Sequence, residues 1–105
     1  MPRRLGTIIA ERNGTLKLSD RTLKKVQVLV GKPTKRHGED DYICPFQVRG
    51  LADESVRFIV GYDSVQAIEL AFSFIGHVIQ NSTPSNSEWK DAAENLGFPK
   101  RPDVK

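Results

Sequence analysis

A chain of 105 residues holds one domain, long enough to bury most of its apolar side chains and too short for a second independent core. An apolar fraction of 38% beside 28% charged residues is that of an ordinary soluble globule. No run approaches the ~18 apolar residues that a membrane span needs. Net charge is only +3, but it is segregated. Residues 1–37 carry ten Lys/Arg against Glu11 and Asp20, a balance of +8, and residues 38–98 carry three against ten acids, a balance of −7. The two halves either neutralise one another across the folded domain or steer an acidic partner toward one edge.

The elements in chain order begin with a strand from Gly6 to Arg12, continued in strict alternation by Thr15 to Leu18. Asn13-Gly14 between them is hairpin chemistry, because both residues tolerate positive φ. The arm beyond it is only four residues long, which favours one long strand bent at Gly14. Ser19 to Thr22 is a turn, and Lys25 to Val30 is the second strand, closed by Gly31 and Pro33. Lys32 to Asp41 is a polar loop. The third strand runs from Tyr42 or Ile43 to Arg49; Pro45 inside it demands an edge or a bulge. Gly50 to Ser55 turns the chain into a fourth strand, Val56 to Val60. Connections this short favour antiparallel neighbours, hence a meander.

A helix is expected from Ser64 to about Gln80. Asp63 is placed to cap it and Gln66 completes a capping-box spacing. Val65, Ile68, Phe72, Ile75 and Ile79 form its apolar stripe, widened by Ala71 and Val78. A shorter helix is expected over Asn86 to Leu96, with Trp89, Ala92 and Leu96 on one face and Gly97 as its left-handed cap. The fold expected is α+β: a four-stranded antiparallel meander packed on one long helix, plus a short C-terminal helix. Residues 1–99 make the domain and residues 100–105 a mobile tail.

Taking Val26/Val28/Val30, Cys44/Phe46/Val48 and Val56/Phe58/Val60 as one set turns these columns toward the helix. The opposite face then carries Lys17 and a candidate interaction surface of Gln27, Leu29, Gln47, Arg49, Arg57 and Ile59, two aliphatics ringed by polar and cationic groups. That is the composition of an association surface.

The segments C-P-F-Q-V-x-G at Cys44 to Gly50, G-Y-D-S-V-Q-A-I at Gly61 to Ile68 and L-G-F-P at Leu96 to Pro99 resemble a family of small bacterial proteins known only as a domain of unknown function. The resemblance covers most of the chain after about Val26. It implies a compact sheet-plus-helix domain in a bacterial cytoplasm, and it carries no catalytic residue.

Reactive chemistry is sparse. Cys44, the single cysteine, alternates with Phe46 and Val48 toward the core, where a thiol is inert packing. With no second thiol there is neither an internal disulfide nor a thiol pair for zinc. His37 lies among cations that disfavour a metal, and His77 falls on the polar helix face. Asp63 and Glu69 stand on different sides of the helix, and the glycines make no phosphate-cradling spacing. The expectation is therefore a non-enzymatic cytoplasmic protein without catalytic residues, cofactor, metal, membrane contact or small-molecule substrate. It would bind a protein partner or a second copy through the outer sheet face. The alternative is nucleic-acid binding by the basic N-terminal third. The scarcity of exposed aromatics for base stacking weighs against that alternative.

Overall fold

The structure is a computed structural model that describes residues 4–51, 53–90 and 93–100. Its elements are β1 (Ile8–Lys17), β2 (Leu23–Gly31), β3 (Thr34–Lys35), β4 (Tyr42–Arg49), β5 (Arg57–Gly61), α1 (Ser64–Ser82) and β6 (Glu88–Trp89), followed by a short 3-10 turn at Glu94–Gly97. All pairings are antiparallel, and the lanes run β5-β4-β2-β1-β6, with β3 lying in the lane of β2. The α+β meander on one long helix is thus present, with two additional two-residue strands. Helix α1 packs over β4 and β5.

Asn13-Gly14 is not a hairpin. β1 pairs continuously with β2 from Ala10 opposite Val30 to Lys17 opposite Leu23. The chain reverses instead at Leu18 to Thr22, where the Leu18 N–H donates to the Thr22 carbonyl at 2.8 Å and Arg21 takes φ 71°. Gly14 has a packing reason to be glycine: a Cβ there would run into the Leu96 side chain, with the Trp89 ring 3.4 Å away.

Pro45 lies in an interior strand, and the lane break beside it accommodates the missing N–H. β2 pairs with β4 as far as Val30 opposite Phe46, and β3 resumes at Thr34 opposite Ile43. Cys44 and Pro45 face the interruption. The polar loop expected over Lys32 to Asp41 therefore contributes β3. Beyond it, Arg36 closes the turn on Asp41 through a bidentate pair at 2.7 and 2.6 Å.

The core comprises Val26, Val28 and Val30 of β2, Cys44, Phe46 and Val48 of β4, and Ala67, Ala71, Ile75, Val78 and Ile79 of α1. The facing expected for β5 is inverted. Ile59 lies opposite Cys44 and Arg57 opposite Phe46, while Phe58 lies opposite Pro45 and Val60 opposite Ile43. Residues directly opposite across an antiparallel pair share a face, so Ile59 packs on the core and Phe58 and Val60 face out. The run Val56 to Val60 is apolar at both parities, so its alternation did not define a face. The helix stripe is also rotated: Val65 is 64% exposed, and Ala67 with Ala71 occupies the centre.

Asp63 caps α1 as expected, its Oδ1 accepting from the Gln66 N–H at 2.7 Å. Gln66 returns a bond to the backbone, its Oε1 accepting from the Tyr62 N–H at 2.8 Å. Asp63→Ala should cost ~0.5–2 kcal/mol, the range for losing an N-cap acceptor. Urea denaturation checks this through a lowered midpoint at an unchanged slope.

The second helix does not form. Asn86 takes φ 59°, and Glu88–Trp89 pairs as β6 with Lys17 and Leu16 of β1. Ala92, counted on that helix face, lies outside the described residues. Asn95, Leu96 and Gly97 are successively left-handed, with φ of 57°, 55° and 82°. Three left-handed residues cannot continue a right-handed helix, and a leucine holds such a φ only where its surroundings enforce it. Here they do. Leu96 is buried against the core, and the Asn95 amide donates to the carbonyls of Gly76, Phe98 and Pro99 at 3.0, 3.3 and 3.2 Å. Phe98 meets Phe72 edge-on at 6.0 Å and lies 5.0 Å beneath the Arg12 guanidinium, which also donates to the Leu96 carbonyl. The segment Leu96 to Pro99 thereby clamps β1 to α1. Lys100 still pairs with Glu94; residues 101–105 of the expected tail lie outside the described residues.

Candidate functional site

The six residues expected to form one outer surface are separated. Gln27 lies opposite Arg49 and Leu29 opposite Gln47, so these four share the outer face. Arg57 and Ile59 belong to the other face, by the β5 register given above. Leu29 is only 8% exposed, so the central aliphatic of that surface is covered. What the outer face presents is a chain of polar bonds across three strands. Gln27 Nε2 donates to Glu11 Oε2 at 2.9 Å, and Arg49 Nη1 donates to Gln27 Oε1 at 3.4 Å. Arg49 Nε donates to Gln47 Oε1 at 3.0 Å, and Gln47 Nε2 donates to the Glu54 carbonyl at 2.6 Å. Around Leu29 these side chains bond one another, and the covered leucine leaves no exposed apolar centre among them.

The N-terminal cations do not gather on one face either. Lys17 and Lys25 project on the outer face near the β1–β2 turn, and Arg12 and Lys24 project on the inner face. Lys32, Lys35 and Arg36 follow the other end of β2, where Arg36 is engaged by Asp41. Phosphate binding gains from clustered cations, which this arrangement disperses.

Cys44 is buried, and its Sγ–H points at the Gly31 carbonyl, 3.6 Å away. Burial raises its pKa to about 11, which keeps the thiol neutral near pH 7 and removes nucleophilic character. His77 contacts Asn81 at 3.0 Å and the Phe74 ring edge-on at 6.0 Å. Among the described residues no three His, Cys, Asp or Glu side chains gather as a metal site would need. No described helix is long and apolar enough to cross a membrane.

The feature that the sequence reading missed is the flank of α1 above β5. Leu70, Phe74 and His77 recur at intervals of four and three, which places them on one side of the helix. With Ile59, Ser73, Pro99 and Lys100 they line an open groove beside β5. Leu70 is 40% exposed and Phe74 37%, although Phe74 reaches inward to within 5.8 Å of the Phe46 ring. Val60 on the adjoining strand is 37% exposed. A signal for this flank was available: α1 spans 19 residues with Glu69 as its single charge, whereas the solvent side of a surface helix normally carries several. β5 itself pairs only with β4, so among the described residues its other edge is open. It lacks proline, and its one charge, Arg57, stands at its end and bonds Asp53 at 3.1 Å. Natural edges are usually blunted by charge, proline or a bulge.

The opposite edge is blunted. The exposed half of β1 carries Glu11 and Arg12 beside exposed Ile8 and Ile9, and β6 covers Leu16 and Lys17. A cleft of about 260 Å³ beside it, floored by Val28 and Val30, is rimmed by Arg12, Phe72 and Phe98. Its rim is the clamp already described.

Residues 10–100 match the domain of unknown function DUF6968. The chain belongs to the DUF6968 family. The match spans most of β1 through the Leu96 to Pro99 clamp, and so includes all three segments that carried the resemblance. No curated protein and no solved structure matches the chain.

Proposed function

We propose that this DUF6968 protein is a non-enzymatic protein-interaction module, and that its contact surface is the β5 edge with the adjoining flank of α1. The observation that carries the reading is the coincidence of an open, nearly uncharged strand edge with exposed Leu70 and Phe74 on a helix bearing one charge. An edge strand offers main-chain hydrogen bonds in register, and neighbouring apolar side chains supply the area that makes strand addition selective. This moves the interaction from the outer sheet face, where Leu29 is covered, to the sheet edge. The nucleic-acid alternative loses support from the dispersal of the cations over both faces and both ends of the hairpin.

Site-resolved photo-crosslinking tests the reading. A photoreactive residue at Leu70 or at Val60 should give one discrete adduct in cells that express the protein natively, and the same residue at His37 should give none. Absence of an adduct from both edge positions would contradict it.

A further inference from the structure

We infer that the partner at this edge is a second copy of the same chain, related by a two-fold axis through Ile59; the inference rests on the interaction reading above. Antiparallel pairing of two β5 strands about that axis sets Ile59 opposite Ile59 of the other copy. It also sets Phe58 opposite Val60, and Arg57 opposite Gly61. The only charge on the strand then meets glycine rather than another arginine, and it can keep its bond to Asp53. An axis through Arg57 would oppose two arginines, and like charges directly across a ladder are destabilising.

Both sides of such a junction have an apolar centre, with Arg57 at the ends of the inner one. On the outer face, each Phe58 meets a Val60, an aromatic and β-branched pair of the favourable kind. On the inner face, Ile59 meets its own copy beneath the two α1 flanks. Leu70 and Phe74 of each copy then face those of the other, in a self-complementary contact of the kind a two-fold axis requires. Glu69, the single charge on α1, lies about 100° around the helix from Leu70, and Lys100, which lines the groove, is paired with Glu94. The product is one continuous sheet with both helices on the same side, and the exposed β5 edge ceases to exist.

Sedimentation equilibrium tests this directly. Wild type should sediment at twice the 11.8 kDa of one chain. The Val60→Lys/Leu70→Glu variant should sediment as a monomer, with self-association weakened ~100-fold or more, as expected when two central contacts are lost. Both substitutions are at exposed positions, so the circular dichroism spectrum should be unchanged. Leu23→Lys, at an exposed site on the far hairpin, should leave the dimer intact. Wild type that remains monomeric at all concentrations, or a double variant that stays dimeric, would overturn the second-copy inference. A monomeric wild type that still gives a Leu70 or Val60 adduct of another mass would overturn the second copy alone and leave the interaction reading standing.

Discussion

Phe46→Ala should lower the unfolding free energy by ~3–5 kcal/mol, the usual range for a buried phenylalanine. Phe46 is 1% exposed at the middle of β4, opposite Val30 on one side and Arg57 on the other. The helix lies above it, and Phe74 reaches down to its ring at 5.8 Å. Truncation leaves a cavity between rigid elements that cannot collapse, because the neighbouring β2 and β5 backbones are held by the ladder. A domain of this size is stable by only ~5–15 kcal/mol, so the variant should be folded with little reserve. Urea unfolding should show a midpoint lowered by roughly 1 M or more at unchanged slope, given slopes of ~1–3 kcal/mol per molar. Phe46→Leu, which keeps most of the volume, should lose clearly less. A Phe46→Ala midpoint near that of wild type would mean that β4 does not face α1. By the same logic Phe58→Ala should be the milder change, since Phe58 is half-buried on the outer face.

Asn95→Ala should cost ~2–5 kcal/mol from two separable sources. Its side-chain amide donates to the carbonyls of Gly76, Phe98 and Pro99, and leaving buried acceptors unpaired costs ~1–3 kcal/mol. Its φ of 57° is one that asparagine tolerates and alanine resists, by ~1–2 kcal/mol. Asn95→Gly removes the same hydrogen bonds without the backbone penalty, so it should be milder than Asn95→Ala. Thermal melts of the two variants beside wild type check both parts. Equal and negligible losses would show that the clamp does not hold the C-terminal segment to α1.

The strands with one apolar parity were legible from sequence, and the rest were not. In β2 and β4 the valines, Cys44 and Phe46 keep to one parity, and lysine, glutamine and arginine share the other with Leu29, Ile43 and Pro45, so the polar residues select the outer face. β5 offers Phe58 and Val60 at one parity and Ile59 at the other, and only the ladder with β4 selects between them. That inversion alone removed Ile59 and Arg57 from the expected outer surface. Ser85, Glu88, Trp89 and Leu96 carried a credible helix signature, but Trp89 gains more against Gly14 and β1 than a short isolated helix could provide. The L-G-F-P segment was recognisable as a motif, but its role depends on Arg12, Gly14, Phe72 and Gly76, which are remote in the chain. A Cβ on Gly76 would collide with the Pro99 carbonyl oxygen, a constraint that becomes readable only once the segment is in place. The contact flank was hidden for a related reason. Leu70 and Phe74 fell outside the expected stripe, and the scarcity of charge along α1 carries meaning only beside an open strand edge.

Amide hydrogen exchange along β5, read in dilute and in concentrated protein, distinguishes an open strand edge from a paired one. In the monomer the β5 amides that point away from β4 are open to water, while in the paired state a second ladder protects them. Protection across Arg57–Gly61 should therefore rise with protein concentration, and that across Ile8–Asn13 of β1 should stay constant. The Val60→Lys/Leu70→Glu variant should hold β5 at its dilute-limit rates throughout. Exchange at β5 that is independent of concentration, or a rise confined to β1, would contradict the claim that β5 and the α1 flank form the contact surface between copies.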